Sequence, residues 1–129
     1  MEVFTFAPVG QRSSDGWGSP EGDAESETEP AHAFTHWSNV FAAAMQRQLL
    51  VALHADDRGK KIKHLGVLRS LHCPGILAEP AFLSNDAEAQ KLATPAFRQQ
   101  VAEALADGVR AYAHILERLR QRQSSDLPH

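Results

Sequence analysis

A single cysteine, Cys73, is all the thiol chemistry in this 129-residue chain. One thiol closes no internal disulfide, which excludes a cystine-stapled scaffold. Cys73 stands just before Pro74, and its simplest reading is a small apolar residue closing a turn, because no base is fixed beside it by sequence to make it a nucleophile. Long apolar runs are missing too, as are the basic start and apolar centre of a signal peptide, so neither a membrane span nor an export leader is expected. There is also no excess of positive charge: 13 Lys and Arg stand against 16 Asp and Glu, for a net charge of -3. That balance excludes the polyanion-binding classes, nucleic acid and anionic membrane surfaces alike. Strand candidates are few, and no internal repeat is visible.

What is present suits one domain, since 43% hydrophobic content over 129 residues can bury a single modest core. The expected domain covers residues 1–122, with an acidic insertion loop at about 11–34 and a frayed tail at 123–129. Glu2-Val3-Phe4-Thr5-Phe6-Ala7 alternates apolar and polar residues before Pro8 and Gly10, which predicts a strand. The insertion is rich in Ser, Gly, Pro and acid, with Glu21, Asp23, Glu25, Glu27 and Glu29 on alternate positions. It lacks the Asp/Asn and Gly positions of a calcium-binding EF-hand loop and reads as a solvated segment, with Trp17 as the residue that docks on the body.

Ser38 or Asn39 can cap a helix whose apolar stripe runs through Val40, Phe41, Ala44, Met45, Leu49, Ala52 and Leu53 and ends near Asp56-Asp57-Arg58-Gly59. His32 and His36 are four apart but fall at the entry to that helix rather than on one face of it, so no metal role is assigned to them. Lys60, Lys61, Lys63 and His64 form a basic cluster, read as a solvated face that could also meet an anionic group. Leu65-Gly66-Val67-Leu68-Arg69 is a second strand candidate. Ile76-Leu77-Ala78 is a third, and its lack of polar alternation predicts a strand covered on both faces.

Glu79 follows directly, and Pro80 after it marks where pairing stops. A charge inside an apolar run calls for a partner or a use. In open α/β sheets, the carboxyl end of a strand is where ligands bind. Glu79 is therefore the candidate catalytic residue. Asn85 with Glu88 three residues on is a capping-box pattern for a short helix, and Thr94-Pro95 starts a long one carrying Phe97, Val101, Ala104, Leu105, Gly108, Tyr112, Ile115, Leu116 and Leu119 at steps of three and four. The expected fold class is α/β: a partial open sheet of about three strands with helices packed on it.

Glu79, then Phe82-Leu83-Ser84-Asn85, Glu88 and Thr94-Pro95-Ala96-Phe97, preceded by Arg58-Gly59, Val67-Leu68-Arg69 and Pro74-Gly75-Ile76-Leu77-Ala78, make a recognisable order. It resembles the C-terminal half of the zinc-dependent N-acetylmuramoyl-L-alanine amidases of the Amidase_3 type. The likeness runs from Glu2-Val3-Phe4 to about Tyr112, leaving out the acidic insertion. It implies the C-terminal portion of a phosphorylase/hydrolase-like amidase fold, peptidoglycan as partner and a cell-envelope or periplasmic location. The implied reaction is hydrolysis of the amide joining the lactyl group of N-acetylmuramic acid to L-alanine of the stem peptide.

The resemblance also implies a zinc ion, held by two His and one Glu, that binds the attacking water and lowers its pKa to about 7 so that a nearby base can take the proton. Glu79 matches the family's second Glu, the general base that later gives its proton to the leaving amine. The family's metal ligands all precede the strand that Glu2-Val3-Phe4 matches, so no metal ligand is expected here. His54, His64 and His72 match none of them. Two readings follow: a peptidoglycan amide hydrolase represented by its C-terminal portion, or an inactive truncated remnant or non-catalytic binding piece without the zinc ligands.

Overall fold

Strand β1 (Glu2–Phe6) is buried along its whole length and forms the middle of a three-stranded sheet in the computed structural model, which describes residues 1–14 and 28–125. It runs parallel to β2 (Lys60–Lys63), with Val3 opposite Lys60 and Phe6 opposite Lys63. It runs antiparallel to β3 (Leu77–Glu79), with Glu2 opposite Glu79 and Phe4 opposite Leu77. The expected open α/β sheet of about three strands is what is observed.

Successive side chains of a strand point to opposite faces, and both faces of β1 are covered. Met1 and Val3 join Ala42, Met45, Leu49 and Leu53 of helix α1 (Thr35–Leu53) and Ala104 of helix α4 (Pro95–Ser125), with Ile76 and Ala78 packed alongside. On the other face Phe6 packs with Ala31 and Leu68. The alternation in β1 thus does not mark a solvent face. Its polar members are buried with partners: Thr5 Oγ1 lies 3.4 Å from Asn39 Oδ1, and Glu2 is held by two cations described below.

The two long helices are antiparallel. Phe41 stacks on Tyr112 with centroids 4.7 Å apart, Met45 meets Gly108, and Gln100 Nε2 donates to Ala52 O. The helices approach closely at Gly108, for a Cβ there would run into Met45 Sδ and lie 3.1 Å from Met45 Cα. The backbone atom cannot rotate away as the thioether can. Gly108→Val is expected to destabilise the fold by about 1–3 kcal/mol through overpacking, read as a lower melting temperature; an unchanged one would mean that the helices do not approach so closely.

Several local expectations change. Helix α1 begins at Thr35 rather than at a Ser38 or Asn39 cap, because Pro30–Phe34 forms a 3-10 turn leading straight into it. There the Glu29 N–H donates to His32 Nδ1 at 2.9 Å, and Ala31 is buried. The end of the expected insertion loop is therefore ordered structure, while Trp17 and the acidic positions from Glu21 to Glu27 lie outside the described residues. Ser38 is buried, its Oγ accepting from the Gly75 N–H at 3.1 Å, whereas Asn39 is exposed.

The basic cluster expected as a solvated face is strand β2, formed by parallel pairing with β1. Its outer side is met by Ser14, whose N–H donates to Ile62 O at 2.9 Å and whose Oγ accepts from the Ile62 N–H at 2.8 Å. Leu65–Arg69, expected as a strand, contains instead the single helical turn α2 (Gly66–Arg69), with Leu68 buried against Phe6. A short apolar run has no period long enough to distinguish the two conformations. β3, expected to be covered on both faces, is half-buried throughout.

Candidate active site

Glu79 ends β3 and sits directly opposite Glu2 of β1. Residues facing each other across an antiparallel pair project to the same side with Cβ atoms about 5 Å apart, so two carboxylates share one face of the sheet. Their surroundings differ. The Glu2 side chain is 8% exposed, and its Oε1 lies 3.1 Å from Arg58 Nε and 2.9 Å from Lys61 Nζ. A buried carboxylate is tolerated when paired in this way. The Glu79 carboxylate is half-buried and has no hydrogen bond or ion pair among the described residues. Of the two, it is the one without a charge partner among the described residues.

The chain after Glu79 is held firmly. The Phe82 N–H donates to Glu88 Oε2 at 2.6 Å, Phe82 O accepts from the Asn85 N–H at 3.2 Å, and the Arg58 guanidinium lies 4.8 Å from the Phe82 ring centroid. Asn85 caps helix α3 (Asp86–Ala93) as its sequence predicts, Oδ1 accepting from the N–H groups of Ala87 and Glu88 at 3.1 and 3.2 Å. Glu88 reaches past the capping residue to Phe82, so the cap and the turn behind Glu79 form one unit. Asn85→Ala should cost about 1 kcal/mol, measured by chemical denaturation; a loss below about 0.3 kcal/mol would contradict the capping role.

Beside this turn lies a cleft of about 210 Å³ lined by Leu53, His54, Asp56, Pro80, Glu88 and Lys91, among others. His54 occupies the left-handed position that ends α1, with φ 47. Three of the other histidines have structural contacts. His32 accepts at Nδ1, which leaves Nε2–H to donate to Ala7 O at 3.1 Å. His64 Nε2 lies 2.8 Å from Gln11 O, and His36 packs edge-on to Trp37. Among the described residues, no group of three or more His, Cys, Asp or Glu side chains could hold a metal ion. The described residues therefore do not fit a zinc site.

Cys73 is exposed rather than packed into its turn. It lies near Tyr112, whose phenol is pushed above its ordinary value of 10.0 by burial, with the charge of the Cys73 thiolate adding to the rise. Sequence reasoning missed Glu2, Arg58 and Lys61. The logic that singled out Glu79, a charge within an apolar strand, applies equally to Glu2 and was the available signal.

The family model described as N-acetylmuramoyl-L-alanine amidase matches residues 3–111. An uncharacterized cell wall amidase of Bacillus anthracis is 38% identical over 85 residues, covering 66% of this chain and 16% of that protein. The N-acetylmuramoyl-L-alanine amidase CwlM of Bacillus licheniformis is 37% identical over 72 residues, covering 56% of this chain and 28% of that protein. AmiA of Escherichia coli, of the same description, is 46% identical over 48 residues, covering 37% of this chain and 17% of its own length. The chain thus spans well under half the length of these relatives. No solved structure matches it.

Proposed function

Since the chain belongs to the N-acetylmuramoyl-L-alanine amidase family Amidase_3, we propose that it carries the Glu79-bearing part of a peptidoglycan amide hydrolase of the cell envelope. The bond cleaved joins N-acetylmuramic acid to L-alanine of the stem peptide. The observation that carries this reading is the position of Glu79: the last residue of a strand, half-buried, without a partner among the described residues, beside a carboxylate whose own charge is already met.

Such a group can move protons in both halves of the reaction. Water adds its oxygen to the amide carbonyl carbon while Glu79 takes up one water proton; the C–N bond then breaks as Glu79 returns that proton to the departing nitrogen, leaving a lactyl carboxylic acid and an L-alanine amine, and the acid's remaining proton passes to the amine to give carboxylate and ammonium. The zinc that the resemblance implies has no donor set among the described residues. The proton transfers at Glu79 are what this chain's own side chains supply.

That missing donor set favours a second reading, an inactive remnant or a non-catalytic piece that binds peptidoglycan. Metal analysis of the purified 129-residue chain separates the two. Stoichiometric zinc with release of stem peptide supports the hydrolase, whereas peptidoglycan binding without zinc or product supports the remnant.

A further inference from the structure

We propose that Arg58 is a positioning residue for Glu79, acting through Phe82; this rests on the reading of Glu79 as the proton-transfer group. Arg58 lies in the connection between α1 and β2 and reaches two elements at once. Its Nε lies 3.1 Å from Glu2 Oε1, and its guanidinium carbon lies 4.8 Å from the Phe82 ring centroid. Glu2 is a fixed anchor, because it is buried within the middle strand and also holds Lys61. Arg58 therefore ties the Phe82 ring to β1 across the sheet face that carries Glu79.

Only Pro80 and Ala81 separate Glu79 from Phe82, and the proline ring locks its own φ. Few torsions remain between the anchored ring and the carboxylate. The Phe82 main chain is secured from the other side, through Glu88 and Asn85. The turn is thus clamped between α3, which holds its backbone, and β1, which holds its aromatic ring through Arg58. A guanidinium suits this task because its charge can stack on a ring face while one N–H meets a carboxylate. Removing Arg58 leaves Glu2 paired with Lys61, so the loss should fall on the turn and spare the sheet.

The test compares the 129-residue chain with Arg58→Ala and Arg58→Lys. Amide hydrogen exchange should quicken about tenfold at Phe82 in Arg58→Ala while the β1 amides keep their protection, since local opening is separable from global unfolding. The carboxyl carbon-13 signal of Glu79 should shift in the same variant, and Arg58→Lys, whose ammonium cannot stack on the ring while it meets Glu2, should restore only part of both. On peptidoglycan, kcat should fall about ten- to a hundredfold with KM little changed, as for a misplaced catalytic group.

An unchanged Phe82 amide and Glu79 signal would overturn the proposal, as would equal acceleration at Phe82 and β1. A raised KM with kcat unchanged would overturn it too, by making Arg58 a substrate contact. A wild-type chain with no hydrolysis would count against the proposed function, and the exchange comparison would still decide whether Arg58 fixes the turn.

Discussion

Glu79→Gln should lower the rate of stem-peptide release about 10²- to 10⁴-fold, the usual contribution of a positioned general acid-base group. The amide has the shape of the carboxylate but cannot take a proton at neutral pH, so it isolates proton transfer from packing. Little stability should be lost. The Glu79 carboxylate has no partner among the described residues, and the facing Glu2 keeps both Arg58 and Lys61. Nothing is left unpaired, and the melting temperature should stay close to wild type, since substitutions that break no buried contact stay within about 0.5 kcal/mol. Chromatographic quantification of released peptide, with thermal denaturation beside it, checks both halves. Equal release by wild type and variant would remove Glu79 from the mechanism.

Leu49→Ala should have the largest effect on stability, about 2–5 kcal/mol, as for other large-to-small changes in cores. Leu49 is fully buried where α1 meets the N-terminal strand and α4, in the cluster with Met1, Val3, Met45, Leu53 and Ala104. The loss combines reduced apolar burial with a cavity that helices braced on two sides cannot close. Against a total stability of about 5–15 kcal/mol for a typical domain, that is a large share. The consequence reaches the site, because the same cluster seats β1, and β1 sets Glu79 by register. Urea denaturation measures it; a cost below about 1 kcal/mol would mean that this junction is not closely packed.

The helices were legible because their signals are local. Apolar residues at steps of three and four marked α1 and α4, and the Asn85 cap with Glu88 marked α3. The strands divided by chemistry. β1 and β3 read clearly from apolar, β-forming residues, but β2 places three lysines around Ile62 and looks like a surface loop. It becomes a strand through partners that pattern reading cannot bring together: β1 alongside it, Glu2 on Lys61, and Ser14 on Ile62. Leu65–Arg69 erred the other way, since an apolar run of five residues is compatible with a strand or a helical turn until packing on Phe6 decides.

The same distinction explains the site. Glu79 was visible as one charge in an apolar run before a proline. Its neighbours come from far along the chain: Glu2 and Lys61 are 59 residues apart, and Arg58 meets both Glu2 and Phe82. Only the fold assembles that set.

The central claim, hydrolysis of the amide between muramic acid and L-alanine, is tested most directly by identifying products. Purified peptidoglycan incubated with the 129-residue chain and zinc, then analysed by mass spectrometry, should give intact glycan strands bearing free lactyl carboxylates together with stem peptides that begin at a free L-alanine amine. Cleaved glycan, peptides cut internally, or peptidoglycan bound without any product would contradict it.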